Sequence, residues 1–148
     1  MSEALHVACP HCDALNRVPA VRLRDAPQCG RCRRALFTGE PVALDARRFA
    51  VHAERADLPL LVDFWATWCA PCRAMAPQFA QATAVLEPDV RTAKVDTVAV
   101  PELAQRFGVR GIPMLALLHR GRELDRLTGV VPAEEIERWT RQRLPAGA

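Results

Sequence analysis

The run Leu60-Leu-Val-Asp-Phe-Trp65 limits what this chain can fold into more than any other stretch. It has the length of a strand and is apolar except for Asp63. A near-continuous apolar strand belongs in a sheet that is covered on both faces. The run leads into a Trp68-Cys-Ala-Pro-Cys72 turn, and a helical pattern from Cys72 to about Leu86 follows, with Met75, Phe79, Ala82 and Leu86 spaced for one buried face. Two thiols therefore sit where a buried strand meets a helix N-terminus. That end of a helix stabilises anions and lowers the pKa of a thiol placed there. Asp63, six residues before Cys69 in the same strand, is costly to bury unless it has a role.

The other four cysteines form two further Cys-x-x-Cys pairs. Cys9-Pro-His-Cys12 and Cys29-Gly-Arg-Cys32 are separated by sixteen residues. Each pair makes a tight knuckle, and two knuckles complete a closed tetrahedral Zn²⁺ site. A segment of forty residues buries too little apolar surface to fold alone, and a metal supplies the missing free energy. Residues 1–40 are therefore read as a zinc-ribbon module and residues 41–148 as a second domain, with Gly39 and Pro41 marking the turn between them. His11 is read as a loop residue. The Cys9–Cys12 pair is not read as a redox site, because no buried strand is expected before it and no clear helix after it. Asn16-Arg-Val-Pro19 is placed in a short hairpin.

Composition excludes several function classes. No run of eighteen apolar residues crosses a membrane. The N-terminus lacks a basic stretch followed by an apolar one, so no secretory signal is expected and a cytoplasmic location is inferred. In a reducing compartment, cysteines serve metal or redox roles before structural disulfides. Residues 1–40 carry six Arg against four acids, and four zinc-bound thiolates would bring that module close to neutral. No clustered basic face points to nucleic acid. Lys94 is the only lysine in the chain.

Along the second domain, Val42–Leu44 reads as an edge strand and Asp45 as the N-cap of a helix over Ala46–Ala56. Asp57-Leu-Pro breaks that helix. Pro77 should kink the helix after Cys72. Arg91–Asp96 is the next strand and Val100–Phe107 a short helix. Met114–His119 and Glu123–Thr128 form a hairpin around Arg120-Gly121, and a last helix spans Pro132–Leu144. Residues 145–148 should fray. The order β-α-β-α-β-α-β-β-α calls for an α/β fold, a mixed central sheet with helices on both faces.

Four motifs carry a family resemblance: Val-Asp-Phe-Trp-Ala-x-Trp-Cys-x-Pro-Cys, Ala93-Lys-Val-Asp96, Gly111-Ile-Pro113, and Gly129 before the last helix. In this order and spacing, residues 42–144 resemble the thioredoxin family throughout. With the four-cysteine module, the whole chain resembles the zinc-ribbon-bearing bacterial thioredoxins. The resemblance implies a thioredoxin fold preceded by a small zinc ribbon, and a protein-disulfide reductase. Cys69, at the exposed end of the helix, is the implied nucleophile and Cys72, more shielded, the resolving thiol. Asp63 is the implied buried carboxylate that serves as base or proton relay, and Lys94 the lysine that pairs with it. Pro113 matches the family's cis-proline, with Ile112 bonding an extended substrate segment. Trp68, Ala70, Pro71 and Gly129 complete the implied substrate surface, with Trp65 as partly buried support. Two positions depart from the family pattern: Ala70 replaces the usual Gly, and Met114 stands where Thr is common.

The implied partners are thioredoxin reductase and disulfide-containing proteins, with the chain working as a monomer. NADPH would act only through the reductase, since no Gly-x-Gly-x-x-Gly fingerprint is present here. An oxidase or isomerase on the same fold, a binding module with secondary redox activity, and a zinc-linked redox sensor remain as alternatives.

Overall fold

In the computed structural model, residues 3–145 are described. The chain opens with an antiparallel hairpin, β1 (Ala4–Ala8) and β2 (Leu15–Pro19), followed by a 3-10 turn at Ala20–Arg22. The two cysteine knuckles are built alike. Cys9 N–H donates to Ala14 O at 2.9 Å and Cys29 N–H to Arg34 O at 2.8 Å. Asp13 (φ 66°) and Arg33 (φ 69°), each directly after the second cysteine of its pair, take the left-handed conformation that closes the turn. One expectation is corrected here. Strand β1 does precede the first knuckle, and Val7 in it is fully buried. The alternation of the hairpin is weak in sequence because each strand is only five residues long, and its inner residues pack on the cysteines and on Leu36 and Leu58 from distant parts of the chain.

The rest of the described chain forms a five-stranded sheet in the order β3-β5-β4-β6-β7. The strands are β3 (Val42–Ala43), β4 (Leu60–Trp65), β5 (Arg91–Asp96), β6 (Met114–His119) and β7 (Arg122–Thr128). Strand β4 runs parallel to β5 and antiparallel to β6, so it lies at the centre. Alternate residues of β4 serve different cores, because successive side chains point to opposite faces of a strand. Leu60, Val62 and Phe64 pack with Phe49, Leu103 and Phe107. Leu61 packs on the other face with Met75, Phe79, Leu86 and Ile136. This two-sided burial is what the apolar run requires.

The helices are α1 (Ala46–Phe49), α2 (Ala70–Leu86), α3 (Pro101–Arg106) and α4 (Ala133–Gln142). Asp45 caps α1 as expected, accepting from Arg48 N–H at 2.8 Å. The expected single helix to Ala56 instead widens into a π-helical segment, Ala50–Arg55, with Ala56 N–H reaching back to Val51 O at 3.0 Å. This segment carries His52 and Ala53 into the interior. Helix α2 begins two residues earlier than expected, at Ala70. Pro71 fits its first turn because the missing N–H there has no intrahelical acceptor. Pro77 lies within α2 on the exposed side and does not end it. The expected ends of α3, α4 and β7 differ by one or two residues, within ordinary fraying. Leu144 still packs on the core. Of the terminal residues expected to fray, 146–148 lie outside the described residues.

The ribbon packs directly on the sheet domain. Val7, Val18, Leu36, Leu58 and the cysteines share one apolar cluster. Two arginines of the second unit fasten it. Arg91 on β5 is only 3 % exposed, and its Nη2 donates to the carbonyls of Ala8 and Leu36, both at 2.8 Å. Its Nη1 donates to Glu87 at 3.1 Å, and the guanidinium lies over Phe37. Arg48 donates from Nε to both oxygens of Asp13 (2.9 and 3.1 Å) and from Nη2 to Pro10 O at 2.7 Å. Peptide bonds Glu87–Pro88 and Ile112–Pro113 are cis.

Candidate active site and metal centre

Strand β4 ends at Trp65, and four residues later Cys69 is the N-cap of α2. Its Sγ accepts the N–H of Cys72 at 3.2 Å. The N-cap position places sulfur where helix N–H groups lack intrahelical acceptors, which favours negative charge on it. Cys69 and Cys72 are joined in a disulfide, with Cα atoms 5.2 Å apart. The expected contrast in exposure between them is corrected. Cys69 is 4 % and Cys72 3 % exposed, because Ala66, Trp65 and Ile112 close around both. Position on the helix separates the two sulfurs in this state, not burial. Trp68 is the exposed large apolar side chain of the site, at 70 %.

The residues named from sequence converge on this end of the sheet. Ala70 and Pro71 form the exposed first turn of α2. Ile112 O lies 3.8 Å from Cys69 Sγ, and Pro113 is buried beside it. Gly129 N–H donates to Pro113 O at 2.9 Å. Gly129 has φ 105°, a conformation L side chains rarely adopt, and a Cβ there would meet nothing within 4 Å. Met114 is part of the core, 2 % exposed.

Asp63 is fully buried on the α2 face of β4, and neither carboxylate oxygen has a hydrogen-bond partner among the described residues. Burial pushes its carboxyl up to about 6, with the positive charge of Lys94 acting in the opposite direction. Lys94 is the register partner of Asp63 on β5. The pairing is by charge and not by a bond: the Lys94 ammonium lies 4.8 Å from the centroid of the Trp65 ring, and neither Asp63 oxygen has a hydrogen-bond partner among the described residues. Lys94 faces a groove of about 440 Å³ bounded also by Asp45, Arg48 and Asp96.

Cys9, Cys12, Cys29 and Cys32 come together, with all four sulfurs within 4.8 Å of one another. The contacts across the knuckles, Cys9–Cys32 and Cys12–Cys29, are both 3.6 Å. A tetrahedron of Zn–S bonds of about 2.3 Å has sulfur–sulfur edges of about 3.8 Å, so the set fits a four-thiolate zinc site. Cys9 Sγ accepts from the N–H groups of His11 and Cys12, and Cys29 Sγ from those of Arg31 and Cys32. His11 is exposed and takes no part as a side chain.

Sequence reasoning missed the residues that join the two units. His52 is buried and neutral, its pKa pushed down to about 4 by burial. Its Nε2–H donates to Asp13 at 2.9 Å. Burial works to raise the Asp13 carboxyl, but the bonds from His52 and Arg48 outweigh it and hold the group below the usual carboxylate range. A carboxylate just past the first knuckle and a polar residue in an otherwise apolar helical face were the available signals. Nothing in the periodicity linked them.

A redox-active pair at a strand–helix junction, over a buried carboxylate and beside a cis-proline, defines a thiol–disulfide oxidoreductase. The comparisons agree with this class. Residues 40–142 match the family described as Thioredoxin, and residues 8–34 the family described as Thioredoxin 2, N-terminal. Thioredoxin C-3 of Corynebacterium nephridii is 43 % identical over 138 residues, covering 93 % of this chain and 94 % of the relative. A thioredoxin of Alicyclobacillus acidocaldarius subsp. acidocaldarius is 44 % identical over 89 residues, 58 % of this chain and 82 % of that protein. Among solved structures, a mutant thioredoxin from Halobacterium salinarum NRC-1 shares the fold, with a TM-score of 0.66 at 23 % identity over 76 % of this chain and 97 % of that one. The chain belongs to the thioredoxin family, and it carries the four-cysteine ribbon whose geometry and family match support zinc binding. No helix among the described residues is long and apolar enough to cross a membrane.

Proposed function

We propose that this chain is a protein-disulfide reductase recharged by an NADPH-dependent thioredoxin reductase. The observation that carries the reading is the Cys69 sulfur at the N-cap of α2, disulfide-linked to Cys72. In the reduced form, Cys69 thiolate attacks one sulfur of a substrate disulfide and expels the other as a thiolate. Cys72 then loses its proton and attacks Cys69 Sγ, which releases the second substrate thiolate and leaves the Cys69–Cys72 disulfide. Two electrons pass to the substrate, and the reductase returns two from NADPH. Ile112 O, beside Cys69, accepts a bond from an extended substrate backbone, Trp68 gives it an apolar support, and Ala70, Pro71, Pro113 and Gly129 shape the surface it crosses.

Asp63 takes the Cys72 proton. A carboxyl near 6 is balanced between its two forms close to neutral pH, which suits a general base. Lys94 tunes it by charge across the strand pair. The folded Asp63 holds its proton up to about pH 6, whereas an unfolded one releases it near 3.8. Between those values the folded state binds more protons, so this residue makes stability fall as pH rises through the window. Asp63→Asn is therefore expected to be more stable than wild type by about 3 kcal/mol above pH 7, with the gain gone at pH 4. The same variant should reduce substrates more slowly and lack an inflection near pH 6. Denaturation of both proteins at pH 4 and pH 8 checks this, and an equal difference at the two pH values would defeat it.

The reading includes a structural Zn²⁺ held by Cys9, Cys12, Cys29 and Cys32, no bound organic cofactor, a monomer acting in the cytoplasm, and a division between units at residues 40 and 41. Coupled NADPH oxidation with insulin as the disulfide substrate tests the central claim. Consumption should require both the reductase and this protein. Failure of thioredoxin reductase to reduce the Cys69–Cys72 disulfide would end the recharging step of the proposal.

A further inference from the structure

Asn16, on β2, has no part in the roles above, yet its amide is fully engaged. Its Oδ1 accepts the N–H of Gly30 at 2.8 Å. Its Nδ2 donates to the carbonyl of Ala14 at 3.1 Å. A backbone N–H can only donate and a carbonyl can only accept, so these two partners fix which way the amide points. The nitrogen is thereby the atom that faces Cys29 Sγ, at 3.5 Å.

Asn16 also spans the two halves of the metal centre. Ala14 accepts from Cys9 N–H in the first knuckle, while Gly30 and Cys29 belong to the second. The four sulfurs are not equally served by donors. Cys9 and Cys29 each accept two backbone N–H groups from their own knuckle. Among the described residues, Cys29 alone receives a further N–H, from the Asn16 side chain. Four thiolates around one Zn²⁺ leave an excess of negative charge in a buried site, and N–H donors to sulfur offset it.

We propose that Asn16 is a positioning residue of the metal centre. Its N–H stabilises the Cys29 thiolate while its oxygen holds the second knuckle in register with the first, so both cysteine pairs are arranged for one metal ion. The inference rests on the zinc reading of the four cysteines. Groups beyond the ligands that orient them typically change metal affinity by about 10–100-fold when removed.

The test uses the full chain as wild type, Asn16→Ala and Asn16→Asp. Zinc affinity is measured by competition with a chromophoric chelator, and Co²⁺ substitution reads the thiolate-to-metal charge-transfer band. Asn16→Ala should lose about 10–100-fold in affinity. Asn16→Asp keeps the acceptor for Gly30 N–H but loses the donor and puts a carboxylate beside a thiolate, so it should bind at least as weakly. Both variants should move the charge-transfer band to lower energy, since a sulfur without its hydrogen bond gives up electron density more readily. Wild-type affinity and an unchanged band in Asn16→Asp would reduce Asn16 to scaffolding and overturn the proposal. Wild-type protein that takes up neither Zn²⁺ nor Co²⁺ would overturn the zinc reading itself, and this inference with it.

Discussion

Cys69→Ser is expected to abolish NADPH-coupled disulfide reduction, with turnover lowered by at least about a thousandfold, because the two thiols act as one unit. Cys72→Ser should be equally inactive in turnover but different in its products. Its Cys69 thiolate can still attack a substrate disulfide, and the serine hydroxyl cannot resolve what forms. A mixed disulfide with substrate should accumulate in Cys72→Ser and be missing in Cys69→Ser, as read by mass spectrometry after alkylation. The two sulfurs are almost equally buried in the oxidised state, so static exposure does not assign these roles. Their assignment depends on the cap geometry, with Cys69 accepting the N–H of Cys72 at the start of α2. Trapping at Cys72 in the Cys69→Ser protein would reverse the order of attack proposed here.

Arg91→Met should destabilise the folded chain by about 3–5 kcal/mol, the usual cost of removing one member of a buried, hydrogen-bonded ion pair. Arg91 is charged and enclosed, and Glu87 is its only carboxylate partner among the described residues. Its loss leaves the Glu87 carboxylate without its cation and removes the donor to two carbonyls of the ribbon, Ala8 and Leu36. Ala8 precedes the metal-site residue Cys9, so the same substitution should hasten zinc loss to a chelator. Adding Glu87→Gln should recover part of the stability by removing the stranded charge. Guanidinium chloride midpoints for the two single variants and the double variant measure these effects. A loss below about 1 kcal/mol for Arg91→Met would mean that the ribbon is held mainly by its apolar cluster.

Much of the fold was legible because its signals are local. The limits of β5 and β6, the Asp45 cap and the order of elements across the second unit all appear as expected. Strand β4 was legible for the same reason: a run apolar at both even and odd positions has only one comfortable place, the middle of a covered sheet. The boundary of α2 was misread because the turn and the helix overlap. Proline signals a break in general, yet at the first turn of a helix it is tolerated, and a cysteine sulfur can serve as cap. The widening of α1 into a π-helical segment leaves no trace in residue periodicity.

The sequence by itself determined the chemistry of this protein. Three Cys-x-x-Cys pairs divide by context, one after an apolar strand as a redox pair and two sixteen residues apart as a metal set, and a lone Asp63 in an apolar strand marks a carboxyl whose burial needs a purpose. These follow from residue type and spacing along one chain segment. Only the tertiary structure decided how the parts meet. It set Lys94 over Trp65 rather than on Asp63, and closed Ile112 over Cys69. It joined Asp13 to Arg48 and His52, and passed Arg91 through to the carbonyls of the ribbon. Such contacts depend on directions of side chains and on backbone carbonyls, which every residue possesses and no sequence pattern distinguishes.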